Sequence, residues 1–451
     1  MERQYPEFGL TREYTDRFQQ AVDGQDREFI TQTLDSVNPA DISSLLYEFN
    51  GEDSKWVLDL LMPDVHAAIL RDLDSDTRKN FLRIYGAAEL VPLINLMDSD
   101  DAADILNELP VRISEEVIAG LEPELRLQVI DLLRYDPNVA GGLMAKELIK
   151  VRDHWTVDQC VQEVRVQAGQ VTRFYTVYVV DQQDRLMGRI SLQDLILKEK
   201  DTLVRDILEE VIPVETYMDD REVAEVMKRY DYESVPVVNV QGVLVGRITI
   251  DDVVDVISEQ AEEDRQAMAG ISEDVEEDDT VWRNTRARLP WLLVGLAGGL
   301  LSARFMGFFE EELKQIAAIS FFIPLIQATG GNVGIQSSSL VVQSLSASAA
   351  LPESLWNRLA RVFSVAILNG LLLALVVLGV NTMVFDNNDL SLIVSLALFA
   401  VVVFASFVGT ITPLILHRLG FNPALASGPF ITTTNDLLGL GVYFTTIQIL
   451  L

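Results

Sequence analysis

One cysteine, three histidines and about half as many bases as acids are what this chain of 451 residues has least of. Each scarcity removes a class of function. Cys160 has no second cysteine to pair with, so an intramolecular disulfide frame is excluded and a reducing compartment is expected. His66, His154 and His417 stand apart from any Cys or Ser nucleophile motif, and an enzyme is not expected. The chain contains no Gly-x-x-x-x-Gly-Lys-Ser/Thr run, so nucleotide hydrolysis is not available as a driving force. The opening residues, Met-Glu-Arg-Gln-Tyr-Pro, begin no apolar segment, so no secretory signal peptide is expected. Lys and Arg number 35 against 68 Asp and Glu, a formal charge of −33. Residues 289–451 hold five of the bases and seven of the acids, so nearly all the excess lies in residues 1–288. A soluble region that acidic repels phosphate backbones and anionic lipid. Nucleic acid is therefore not an expected partner, whereas cations are.

What is present divides the chain. From Arg12 to Leu133 the pattern predicts short helices with polar breaks. Asn38-Pro39 offers an N-cap followed by Pro at the first helical position, and Ser99-Asp100-Asp101 opens another helix with acids in its first turn. Ala40-Asp41-Ile42 recurs as Ala103-Asp104-Ile105, a hint of stacked helix pairs. A clearer repeat follows. Val177 to Asp194 matches Val235 to Asp252 at a constant offset of 58 positions, each copy ending in Gly-Arg-Ile-Ser/Thr-x-x-Asp. The repeat resembles a tandem pair of cystathionine-β-synthase (CBS) motifs. That resemblance implies an α/β module, in which Ser191, Asp194, Thr249 and Asp252 are candidate nucleotide contacts and ATP the candidate ligand. A purely structural pair remains the alternative. Between Ile257 and Thr280, ten acids face Arg265 alone.

Five apolar runs then follow: Leu289–Phe309, Ile316–Val342, Leu359–Val384, Leu390–Leu416 and Phe421–Leu451. Each is long enough to cross a hydrocarbon core of about 30 Å. Arg283, Arg286, Arg288, Arg358, Arg361, His417 and Arg418 fall on one side, which the positive-inside rule makes cytoplasmic together with the N-terminus. Glu310, Glu311, Glu312, Asp386 and Asp389 fall on the other. The second and fifth runs carry Gly, Pro and polar residues, and broken helices are expected there. Asp436 is the one ionisable side chain in its run. A carboxylate at that depth costs roughly 2.5–3.5 kcal/mol and is tolerated where it meets a protein interior, a cationic partner or water. Around it lie Thr432, Thr433, Thr434 and Asn435. The second run supplies Asn332 and Gln336 within Gly330-Gly331-Asn332-Val-Gly334-Ile-Gln336. Neutral oxygens, freed carbonyls upstream of Pro429 and one carboxylate suit a hydrated Mg²⁺, and the same set accepts Mn²⁺ or Co²⁺.

Together the helical N-terminus, the repeat pair, the acidic connector, the five runs and the two polar motifs resemble the MgtE family of magnesium channels. The resemblance implies a multidomain fold. It comprises a cytoplasmic superhelical N-domain (1–138), tandem CBS domains (139–256), an acidic connector with a plug helix near 279–288 (257–288) and an all-α five-span pore domain (289–451). It also implies a homodimer in the cell's inner membrane, with Asp436 as the central pore carboxylate. The family commonly has Asp where this chain has Asn422, so a second carboxylate at the cytoplasmic mouth is not expected of that position. Its gating, closure by cytosolic Mg²⁺, has a physical counterpart in mutual repulsion among acids that divalent cations would bridge. The candidates are Asp98, Asp100, Asp101, Asp104, Asp251, Asp252, Asp255, Glu259, Glu262 and Glu263. An ion-coupled divalent transporter or exporter and a non-conducting membrane sensor are the alternatives.

Overall fold

The computed structural model describes residues 11–47, 49–171, 174–272, 275, 280–346, 355–384, 388–426 and 428–450. The chain forms two compact units, Met1–Ile257 and Ser258–Leu451.

The first unit opens with ten short helices among the described residues, from Arg12–Asp23 to Pro123–Leu132. Local chemistry starts them. Thr11, Asp26, Asn38 and Asn50 each accept a backbone N–H of the helix they precede. Asn38-Pro39 caps as the sequence predicts. Helices of eight to twelve residues are marginal alone, so packing must hold them. The first two pack on each other, and from 39–46 onward each packs on the next but one: 39–46 on 63–72, 63–72 on 87–94, 87–94 on 111–120; and 51–58 on 75–82, 75–82 on 99–108, 99–108 on 123–132. These two interleaved rows make the expected superhelix. The Ala-Asp-Ile phrase is not its repeat, because its copies lie in opposite rows. Phe18, Ile30, Leu45, Val57, Ile69 and Phe81 fill the first core. A second core starts at Leu82 and continues through Leu106, Val129 and Met144 into Val235, Ile248 and Val253. The last helices therefore share their interior with the second half of the α/β module.

That module contains β1 (Lys150–Arg152), β2 (Thr176–Val180), β3 (Leu186–Ser191), β4 (Val214–Glu215), β5 (Ser234–Val238) and β6 (Leu244–Thr249). β1 pairs parallel with β2 and β2 antiparallel with β3; β4, β5 and β6 repeat this order. The 58-residue offset is kept down to the register, with Val179 opposite Gly188 and Val237 opposite Gly246. β2 and β5 are buried along their whole length, which accounts for the apolar run that follows Thr176 in one and Ser234 in the other. The Tyr178 and Ser234 hydroxyls share a hydrogen bond of 2.7 Å between the halves.

A helix from Ile250 to Ala269 carries the chain from the first unit into the second. Five long helices follow: the first span Val281–Met306, the second Ile323–Ser346, the third Leu355–Val384, the fourth Asn388–Arg418 and the fifth Pro429–Leu450. Four of them are long and apolar enough to cross a membrane. The fifth, 22 residues long, carries the polar run around Asp436. The fourth span is the hub, packing on the second, third and fifth, while the first packs on the fifth. Val394, Leu398, Val401 and Val402 meet Ile326, Leu440, Tyr443 and Phe444 in its core.

Three expectations need correction. The breaks are displaced: the second span is preceded by a 3₁₀ segment, Ala317–Phe322, and is regular through Gly330-Gly331. The fifth begins at Pro429, after a 3₁₀ turn Pro423–Ala426 and Gly428 at φ 57°. Pro429 is thus the first helical residue, where a missing N–H costs nothing, and it frees no carbonyl inside a helix. No separate plug helix forms from 281–288, which belong to the first span capped by Thr280. Asp279 and five other connector acids (Glu273, Asp274, Glu276, Glu277, Asp278) lie outside the described residues, as does Ser427.

Candidate functional site

Glycine notches set the polar face of the fifth span. A Cβ on Gly298 of the first span would fall 1.8 Å from Thr433 Cγ2. One on Gly334 of the second would fall 1.7 Å from Asn435 Nδ2. One on Gly331 would sit 3.5 Å from Thr432 Cγ2 and 3.9 Å from Asp436 Oδ1. Thr432 and Asp436, one turn apart, therefore face the second span together, and Thr433 faces the first. Gly334 is approached from its other side by Gly409 of the fourth span, whose Cβ would lie 2.5 Å from the Gly334 carbonyl oxygen. Asn435 is 2% exposed and neither amide atom has a hydrogen-bond partner. Asp436 is half-buried, and among the described residues no Lys or Arg lies within ion-pair distance of it. Asn332 and Gln336, also one turn apart, are exposed on the second span, whereas Gly331 and Gly334 turn inward. The structure thus brings Thr432, Asn435 and Asp436 to the second span without burying Asn332 or Gln336 beside them. Oxygens in this region come from side chains, because the helical carbonyls are engaged in the helix. Glycine at 331 and 334 was the legible signal; its complements Gly298 and Gly409 lie far away in the chain.

A second constellation lies in the first unit. Helix 99–108 begins beside the start of helix 250–269, so acids from both first turns converge. Asp98 makes no side-chain cap; instead Glu147 Oε2 accepts from Ser99 N at 3.2 Å and from Ser99 Oγ at 2.8 Å. Burial, then the charges of Asp252 and Asp101, hold the Asp100 carboxyl well above the usual range. Asp101 is pushed up to about 7 by burial, against the pull of Arg71, with Asp252, Asp98 and Asp104 adding to the rise. Asp252 rises to about 6, again chiefly through burial, opposed by the Thr249 N–H. Asp255 rises through burial and the charges of Asp251 and Asp72. Three cations act on the group: Arg71 stands 3.9 Å from Asp101, Arg78 is bound to Glu108 at 2.8 Å, and Arg247, whose Nε donates to the Glu147 carbonyl, lowers the Asp252 carboxyl. The group offers hard oxygen donors, although among the described residues no three acids converge closely enough to hold a metal ion. Glu147 joins these acids through Ser99, and no local pattern in the sequence marks that residue. Farther along the same helix, Glu262 pairs with Arg265 at 2.6 Å, and Glu259 and Glu263 are exposed.

The Ser/Thr-x-x-Asp pairs cap helices. Ser191 Oγ donates to Asp194 Oδ2 at 3.0 Å and accepts from Asp194 N at 3.0 Å. Thr249 N and Oγ1 both donate to Asp252 Oδ2 at 2.9 Å. The equivalent arginines of the two halves differ. Arg189 pairs with Glu209 at 3.1 Å, whereas Arg247 is 5% exposed with Nη1 unpartnered.

A helical superhelix and a CBS pair, followed by a bundle of membrane-length helices around one intramembrane carboxylate, define a multi-pass membrane protein with a soluble N-terminal region. A family model described as a divalent cation transporter matches residues 323–446; the MgtE intracellular N domain matches 37–138, and the CBS domain matches 140–201 and 204–259. The magnesium transporter MgtE of Bacillus subtilis is 31% identical over 423 residues, covering 94% of each chain. That of Thermus thermophilus is 33% identical over 446 residues, covering 96% of this chain and 97% of the relative. The chain belongs to the MgtE family. A crystal structure of the cytosolic domain of the Mg²⁺ channel MgtE in complex with ATP is similar at a TM-score of 0.51 and 33% identity, covering 54% of this chain and 99% of that one.

Proposed function

We propose that this chain is a Mg²⁺ channel of the inner membrane that passes the ion inward down the membrane potential. The observation that carries the reading is Asp436, a membrane-depth carboxylate without a cationic partner among the described residues, beside the second span's glycines. Retaining an unneutralised charge there is costly unless a passing cation matches it. The names of the two relatives, which cover nearly the whole chain, support the choice of ion. The lumen runs along the two-fold axis of a homodimer. Asn332 and Gln336 are exposed on a single chain, and amides are poorly suited to lipid. In the dimer they line water, with Asp436, Thr432 and Thr433 nearby and Asn435 behind them. A divalent ion gains roughly 4.6 kcal/mol per 100 mV. Mn²⁺ and Co²⁺ meet the same oxygens. The division into 1–138, 139–256, 257–288 and 289–451 is part of this proposal, with 281–288 taken as the start of the first span rather than a separate plug helix.

Closure follows cytosolic Mg²⁺ binding at Asp98, Asp100, Asp101, Asp104, Asp251, Asp252 and Asp255; burial, with neighbouring acids adding to it, raises the proton affinity of Asp100, Asp101, Asp252 and Asp255. Glu259, Glu262 and Glu263 are further regulatory acids. ATP fits the CBS pair at two places: the Arg247 guanidinium offers a free donor to a phosphate, and Ser191 and Asp194 offer a hydroxyl and a carboxylate to a ribose. Thr249 and Asp252 fit a phosphate poorly, since Asp252 faces other acids.

Divalent flux into proteoliposomes tests the reading. Asp436→Ala and Asp436→Asn should each lower Mg²⁺ flux by at least a hundredfold, and flux should follow an imposed potential without any Na⁺ or H⁺ gradient. Unchanged flux in both variants would return Asp436 to a packing role, and dependence on a counter-ion gradient would make the protein a coupled transporter.

A further inference from the structure

The end of the connector helix docks on the cytoplasmic end of the span bundle inside the second unit. Asn422 Nδ2 donates to Asp264 Oδ1 at 3.1 Å. The other face of that amide is fixed, because Asn422 Oδ1 accepts from Ala424 N at 2.8 Å. The carboxylate therefore meets an N–H rather than an oxygen. Two glycines lock the backbones reciprocally. Gly428, at φ 57°, has the Met268 carbonyl oxygen 2.2 Å from where a Cβ would be, and Gly270, at φ 78°, has the Pro429 ring 2.5 Å away. Both are left-handed positions that favour glycine. Beyond them Ser272 N donates to the Ala287 carbonyl of the first span at 3.0 Å.

We propose that Asn422 and Asp264 form a cation-independent latch at the cytoplasmic mouth, so that the dock stands whether or not divalent cations are present. The argument is one of charge. With aspartate at 422, an oxygen would replace the donating nitrogen, and two carboxylate oxygens about 3 Å apart would need a proton or a shared cation between them. The amide removes that need. This inference rests on the transport reading for its significance: divalent sensitivity then resides in the regulatory acids named above, and the mouth contact adds none.

Hydrogen exchange of the full-length chain in nanodiscs at pH 8 tests it, read on the peptide 264–272, which contains the Ile271 and Ser272 amides of the dock. The native chain should show equal protection in EDTA and in Mg²⁺, within twofold. Asn422→Asp should lose at least tenfold of that protection in EDTA and recover it in Mg²⁺. Combining it with Asp264→Asn, which restores one amide and one carboxylate, should restore independence from Mg²⁺. A tenfold loss of protection by the native chain in EDTA would overturn the proposal, as would an Asn422→Asp variant indifferent to Mg²⁺ or a double variant still dependent on it. The double variant keeps the test open if the single one misfolds. Flux measured on the same native preparation separates the two readings: its absence would sink the transport function while leaving the protection result standing.

Discussion

At the scale of single residues, what matters in the membrane region is what glycine leaves out. A methyl group added at Gly334 must displace the Asn435 amide, and one added at Gly409 would meet the Gly334 backbone. Gly334→Ala is expected to destabilise the chain by about 1–3 kcal/mol through overpacking. Asn435→Ala alone removes two unpartnered polar atoms and should be close to neutral or stabilising. The double variant should recover much of the Gly334→Ala loss. Thermal unfolding midpoints of the four detergent-solubilised chains measure this cycle, and strict additivity would count against the notch. Cys160 is fully buried and its thiol is pushed up to about 11 by burial, so it should stay inert to reagents aimed at introduced cysteines.

At the scale of elements, two helix starts meeting acid to acid make the first unit sensitive to pH. Asp101 and Asp252 bind protons more tightly in the fold than in an unfolded chain, whose carboxylates release theirs near 3.8. Each therefore stabilises the fold as pH falls through about 7 and about 6, and that stabilisation is lost as pH rises. Without divalent cations, the first unit, which ends at Ile257, is expected to melt higher at pH 6.5 than at pH 8, by an amount on the order of 1–2 kcal/mol. Mg²⁺ should raise the pH 8 midpoint, and Asp101→Asn with Asp252→Asn should flatten the profile. His66, buried with its pKa lowered to about 4, acts in the opposite direction, but only below its ordinary 6.5, which is why the comparison stops there. Much at this scale could be read in advance. Asn38-Pro39 marked a helix start, and the 58-residue offset marked two sheets of one register, because caps and strand pairing are local. The Ala-Asp-Ile phrase misled because it records how helices start rather than which row they join. Pro429 misled because proline is equally at home at a helix start and in a kink, and only the backbone distinguishes them. Glu147 was invisible because nothing near it in sequence announces that it would cap a helix 48 positions away.

At the scale of the whole molecule, a dimer-axis lumen makes a prediction about access. Gln336→Cys, on the exposed face of the second span, should react with a water-soluble thiol reagent and lose most of its Mg²⁺ flux. Val376→Cys, exposed on the third span, should be unreactive to the same reagent because lipid covers it. Equal labelling of both would place Gln336 in lipid and remove the axial pore. What sequence could not provide here is the set of neighbours: Asn332 and Gln336 were readable as polar, but their turning away from Asp436 within one chain follows from how the second span rolls against the fourth and fifth.

The central position of the fourth span has a mechanical consequence. A rod wedged against three others, with its Gly409 seated on a neighbour's backbone, behaves as a keel. In the proposed pore, widening would then be left to the outer staves, above all the first span, which leans on the fifth and continues without interruption into the segment capped by Thr280.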